Sequence, residues 1–212
     1  MKLKSLLICG IFSSFLYLAT DITASVIWSE YRYSSQTISE LIAISAPTRA
    51  FVTISFMVYS LLIYSFGAGV WLSANEKMSL KFAAVLIVGK EVLGLAVTLF
   101  FPIHLRGVAT GYTDVLHGIL TAIGVFLFMF PAMISGSIAF KGVFRVYSIV
   151  TMLLFVYFGV KAGTMQPELA ANLPTPMMGI WERINVYGYL IWIVFFALKL
   201  LKLNPKVQSI TE

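Results

Sequence analysis

Six apolar stretches, five of them about twenty residues or longer and parted by short polar gaps, constrain this chain more than any other feature. They run over residues 5–28, 50–74, 82–102, 115–140, 146–161 and 181–201, the fifth being the shortest. A helix rising 1.5 Å per residue needs about 20 apolar residues to cross a bilayer core of ~30 Å, and a helix satisfies its own backbone there. The gaps leave no room for a soluble domain. The expectation is therefore one all-α integral membrane domain over residues 1–212, a six-transmembrane-helix bundle. Composition agrees: 59% of residues are hydrophobic and 11% charged, with a mean hydropathy of +0.92. Globular domains average about half apolar and a quarter charged.

The start, MKLK followed by SLLICGIFSSFLYLAT, has the charged and apolar parts of a secretory signal, with DITAS as a cleavage candidate. The apolar register continues to Trp28, which favours an uncleaved first span. The single cysteine, Cys9, lies within it, so no internal disulfide or multi-cysteine metal site can form. The net charge of +6 is dispersed over segment ends, which argues against a nucleic-acid partner.

Lys2, Lys4, Lys77, Lys81, Lys141, Arg145, Lys202 and Lys206 fall on one set of flanks; Arg32, Arg49, Arg106, Lys161 and Arg183 fall on the other. The basic-rich side is expected to be cytoplasmic, with both termini inside a bacterial inner membrane. The connections on the opposite side are longer and carry most of the acids and hydroxyls. Functional groups concentrate on loops held by a rigid scaffold, so the expected site is an outer-facing polar pocket.

Charged residues within apolar spans are costly, about 2.5–3.5 kcal/mol each at mid-bilayer, and usually face a bundle interior and pair. Asp21 lies in the first span and Lys90 and Glu91 in the middle of the third. The last two are sequence neighbours, roughly 100° apart on a helix, so each is expected to need its own partner. Asp21 matches Lys90 in depth; Arg49 or Arg183 are the candidates for Glu91. Asp114 and His117 share one face of the fourth span by i,i+3 spacing, and Glu182 and Arg183 open the sixth. Intramembrane pairs of this kind also serve simply to fix helix register.

A metal site would need His104 and His117 to converge with Asp114 and one of Asp21, Glu40 or Glu182. No ligand spacing supports it, and no metal or cofactor is expected. A serine nucleophile with His117 could be Ser39 or Ser45, but no GxSxG elbow is present.

The least apolar part of the first quarter is SSQTISELIAISAPTRAF, residues 34–51. ISELIAI spaces its apolar residues as a short amphipathic helix does, with Thr37 or Ser39 as cap and Glu40 in its first turn. Pro47 should end it, and Thr48 should cap the second span. This helix is expected to lie over the bundle mouth, turning Glu40 and Arg49 towards Asp114, His117 and Glu182.

With the preceding tyrosine, YSSQTISELIAISAPTRAF resembles the signature of a bacterial membrane-protein family catalogued as domain of unknown function 998. Phe101–Pro102 at the end of the third span, His117–Gly118 in the fourth and the closing GIWERI, Gly179 to Ile184, are similar to its further motifs. Ile42 departs from the pattern, standing where a glycine is common. The resemblance implies six spans and one constellation of Ser39, Glu40, Arg49, His117, Glu182 and Arg183; it implies no reaction. Three functional readings remain open: a pocket for a lipid headgroup or small solute, a lipid-modifying enzyme with His117 or Glu40 as general base and Arg49 or Arg183 holding a phosphate, and a proton-coupled transporter using Asp21, Lys90 and Glu91. The first is preferred.

Overall fold

The computed structural model describes residues 3–203; Lys2 and Lys206 lie outside them. Six helices among these residues are long and apolar enough to cross a membrane. They are α1 (Leu3–Ile27), α2 (Arg49–Ser73), α3 (Met78–Phe100), α4 (Tyr112–Ala139), α5 (Val143–Gly163) and α6 (Met178–Leu203). No strand occurs among the described residues. Each expected span is present. The fifth, read as the shortest at 146–161, is a full 21-residue helix, Val143–Gly163, extended by Val143, Phe144 and Arg145 before the expected range and by Ala162 and Gly163 after it.

The helices form a closed ring in chain order, each packing on the next and α6 returning to α1. Small residues allow the close approaches, as expected where lipid offers no hydrophobic drive between helices. A Cβ at Gly69 of α2 would press on the α1 backbone at Leu6 and Leu7, and one at Gly136 of α4 on the Trp192 ring of α6. Ser14 of α1 donates to the Leu190 carbonyl (3.1 Å), and the Trp192 indole of α6 donates to Ser148 of α5 (2.9 Å).

One end of the bundle carries only the short connections between α2 and α3 and between α4 and α5. Its interior is packed with aromatic rings. Phe66, Phe140, Phe144, Trp192 and Phe196 stack or meet edge to face, with centroids 4.8–6.2 Å apart. Lys77 lies over the Phe140 ring and Lys81 over Trp71 at this end.

The other end carries three long connections that are stitched into one cap. Ile44 N–H donates to the Ile103 carbonyl (2.7 Å), Thr175 Oγ1 to the Ser35 carbonyl (2.9 Å) and Ile180 N–H to Ser34 (3.3 Å). ISELIAI is shorter in helical form than expected: Ile38–Ile42 makes a 3-10 turn, with Ile38, Leu41 and Ile42 buried. Thr37 is its N-cap, and the Glu40 carboxylate accepts the Thr37 N–H (2.9 Å), as a capping box requires. Ser45 in a left-handed conformation (φ 69°) and Pro47 prevent continuation, and Thr48 spends its hydroxyl on the Leu41 carbonyl (2.8 Å) rather than on capping α2.

Gly179 shows how tightly the cap is seated. A Cβ there would overlap the carbonyl oxygens of Gln36 and Tyr33 and come within 3.0 Å of the Arg183 guanidinium. Gly179→Ala is expected to force the loop off α6 and cost about 1–3 kcal/mol, as overpacking against backbone does. An unchanged unfolding midpoint in detergent would show that the loop is not held there.

Helix α4 changes pitch midway. Gly124–Met129 is a π-helical turn, in which Phe130 N–H reaches the Val125 carbonyl five residues back. Pro131 follows, and its ring would clash with the Leu127 carbonyl in a regular α-helix, so the wider turn relieves it. Below the bulge, Phe130–Ala139 packs on α3 and α5; above it, Tyr112–Ile123 leans on α3.

Candidate functional site

The long-loop half of the ring is hollow. A cavity of about 500 Å³ is walled by Leu93, Val97, Leu120, Met129, Phe155 and Leu190 among others. It meets a second recess under the cap loops at Ser39, His117, Thr121, Gly159 and Glu182, which line both. Some wall residues also face outwards: Phe126 on α4 is 65% exposed and Val160 on α5 is 61% exposed. The cavity thus opens sideways, where the upper half of α4 stands away from α5.

The polar residues sort into three groups. In the first, Arg183 forms a two-pronged pair with Asp21, Nε and Nη2 each 2.9 Å from a carboxylate oxygen, both side chains being at most 3% exposed. Nη2 also donates to Tyr31 Oη (2.7 Å), and Nη1 to the carbonyls of Tyr33 (2.9 Å), Gln36 (3.0 Å) and Gly179 (3.2 Å). The Tyr187 hydroxyl donates to Asp21, and the guanidinium lies 3.7 Å from the Tyr33 ring centroid. Burial holds the Tyr31 phenol well above its usual range, so it remains a neutral partner. Every donor of Arg183 is used. This group ties α1 and α6 to the first loop.

In the second group, Glu40 turns away from His117 and takes Arg106, with Nε and Nη2 each at 2.8 Å. Arg106 also holds Thr175 Oγ1 and the Ser35 carbonyl, both at 2.8 Å. Arg106 therefore clamps all three long connections together. Sequence reading registered it only as a flank charge. Its one signal was a lone base in IHLRGVATGYTD, opposite a loop holding an acid.

Arg49 is not brought to this cluster. It heads α2, lines neither cavity, and its guanidinium has no hydrogen-bond or ion-pair partner among the described residues. Asp114 is taken by His104 rather than by His117: its oxygens accept from His104 N (2.7 Å) and Gly111 N (2.8 Å) and meet His104 Nδ1 at 2.6 Å. Lying at N3 of α4, it caps that helix.

The third group faces the hollow. His117 Nδ1 is 2.8 Å from the Phe101 carbonyl and Nε2 is 3.0 Å from Ser39 Oγ. Glu182 accepts the Ile38 N–H (2.6 Å), so the residue before Ser39 is held by α6. Asn185, one turn along α6, lines the cavity with a buried Oδ1 that has no hydrogen-bond partner among the described residues. At the floor, Glu91 accepts from Ser60 (2.6 Å) and pairs with Lys90 (3.5 Å), whose ammonium lies 5.5 Å from the Tyr189 ring centroid. Lys90 thus finds its neighbour and not Asp21, because its long stem folds back across the helix face that separates them. Asp21 and Arg183 are spent on each other.

No group of three or more potential metal ligands occurs among the described residues.

A ring of six apolar helices with a capped, polar-mouthed hollow defines a multi-pass integral membrane protein. The chain belongs to the family described as Protein of unknown function (DUF998), whose model matches residues 11–199 and so nearly every element above. No curated protein matches the sequence. No solved structure matches it either.

Proposed function

We propose that the protein holds an amphipathic molecule of the lipid class in the hollow half of its bundle. The molecule enters sideways between α4 and α5, and its polar end rests at Ser39, His117, Glu182 and Asn185. The observation that carries this reading is the cavity: about 500 Å³, apolar-walled, polar where it meets the mouth, and bordered by apolar side chains, such as Phe126 and Val160, that are more than half exposed. Small-molecule sites have this size and this mixture of many apolar and few polar groups.

The charges narrow the ligand class. Arg183 donates fully to protein acceptors, Arg106 gives four of its five N–H groups to Glu40, Thr175 and Ser35, Lys90 pairs with Glu91 at the cavity floor, and Arg49 lines neither cavity. The polar junction offers a carboxylate, an amide oxygen, a hydroxyl and an imidazole. Such a set favours a headgroup that donates hydrogen bonds, such as a polyol, over a phosphate, which needs donors. The excess of lysine and arginine at the short-loop end supports a cytoplasmic position for that end, with the mouth on the outside of a bacterial inner membrane.

The test is retention of 1-O-hexadecylglycerol, an ether that cannot be hydrolysed, by the detergent-purified protein in native mass spectrometry. Wild type should keep one molecule. Gly159→Leu, which builds into the junction where a Cβ meets only the Asn185 amide at 3.4 Å, should lower retention at least tenfold at an unchanged unfolding midpoint. Equal retention by the variant would sink the reading.

A further inference from the structure

We infer that Ser39 is a nucleophile with His117 as its general base, and that the cavity cleaves a carboxylic ester of the amphipathic molecule it holds. This rests on the binding reading above. Ser39 Oγ and His117 Nε2 are 3.0 Å apart, within the range for proton transfer. The direction of that hydrogen bond is fixed by the other ring nitrogen. Nδ1 lies 2.8 Å from the Phe101 carbonyl, which can only accept, so Nδ1 carries the hydrogen and Nε2 presents its lone pair to the serine. A backbone carbonyl here fills the orienting role that a carboxylate has in the serine–histidine–aspartate triad.

That carbonyl is available for a local reason. Phe101 leaves the helix (φ −129°, ψ 52°) at the end of α3, and Pro102 has no N–H with which to extend the ladder. The serine of SEL, the phenylalanine of FP and the histidine of HG therefore meet in one hydrogen-bonded chain, although 62 and 16 residues separate them in sequence. Ser39 sits on the 3-10 turn that Glu182 holds through the Ile38 amide, which makes Glu182 a positioning residue.

The place of the pair suits an ester. Both residues line the apolar cavity and the recess under the cap, so an acyl chain can lie in the first while the alcohol faces the second. Ser39 gives its proton to His117 Nε2 as Oγ bonds to the acyl carbon. The ester C–O bond then breaks, and Nε2 returns the proton to the leaving alcohol. A water, deprotonated by the same nitrogen, attacks the acyl-serine; the carboxylic acid departs and Ser39 is regenerated. The steps consume only ester and water.

The experiment treats the full chain in detergent with a fluorophosphonate and reads the adduct by intact mass and peptide mapping. Wild type should take one adduct, on Ser39, at a rate that rises as one group loses a proton. Ser39→Ala should abolish labelling. His117→Gln should slow it at least 100-fold and remove the pH dependence, which a merely structural histidine would not do. Both variants should unfold at the wild-type midpoint, which separates loss of the nucleophile from loss of the fold. Retention without labelling of the wild type would overturn the nucleophile and leave the binding reading intact. Adduct on a different serine, persisting at the wild-type rate in Ser39→Ala, would overturn it as well. Loss of both retention and labelling in wild type would overturn both.

Discussion

Replacing Arg183 with alanine is expected to lower the unfolding midpoint of the purified protein more than any other single substitution at a polar site. The reason is what remains behind. Asp21 is fully buried and would keep a charge with only the Tyr187 hydroxyl and its own helix for company. Removing one partner of a buried pair costs about 3–5 kcal/mol, because the survivor is uncompensated. The carbonyls of Tyr33, Gln36 and Gly179 lose their shared donor at the same time. Asp21→Asn should cost less, since the amide leaves the three carbonyl contacts of Arg183 in place. The double variant Asp21→Leu/Arg183→Met should recover part of the loss but not all of it. Thermal unfolding in one detergent across the three variants checks the order. Should Arg183→Ala unfold within about 2 °C of wild type, the pair would not be holding α1 to α6.

The second large effect is expected at Glu40. Alanine there removes the acceptor for Arg106, for Gln36 Nε2 and for Thr37 N–H together. Glu40 is buried while Arg106 is about a quarter exposed, so the freed guanidinium turns to solvent and the cost lies mainly in the opened cap. Trypsin supplies a direct readout, since it cuts after Arg106 only when that loop leaves the cap. Cleavage at Arg106 should be at least tenfold faster in Glu40→Ala. Glu40→Gln should fall between, because one amide oxygen cannot serve both nitrogens of the fork. Equal cleavage rates in all three proteins would mean that the clamp does not close the connections. A further contrast separates cap from site: Glu40→Ala should still place Ser39 near His117 to the extent that Glu182 keeps hold of Ile38.

Much of this protein is readable from its residues in order. Six spans follow from apolar length, but the ring in chain order does not, since the three long connections could each reach past a neighbouring helix. The first loop also announces its own chemistry: Thr37 with Glu40 three residues later is a capping pair wherever it folds. The extent of the ISELIAI helix was less legible, because the backbone leaves helical geometry at Ala43 and again at Ser45, before the Pro47 stop that the sequence displays.

Partner choice was the part that spacing could not supply. Asp114 and His117 share a helix face, yet each finds its partner elsewhere, in His104 and in Ser39 with Phe101. Glu40 and Arg49 stand in one motif, but the chain turns at Pro47 and carries them apart, leaving Arg106 from a distant loop as the clamp. Depth along a helix axis suggested Lys90 for Asp21, and it ignored rotation about that axis, which aims Asp21 at α6 and Lys90 at the cavity. Hydrophobic length acts locally and survives any packing, so the sequence alone determined the spans and their number. Charge pairing depends on angles between helices and on which loop folds over which. Only the tertiary structure decided that the polar residues divide into two closed clamps and one open pair beside a hollow.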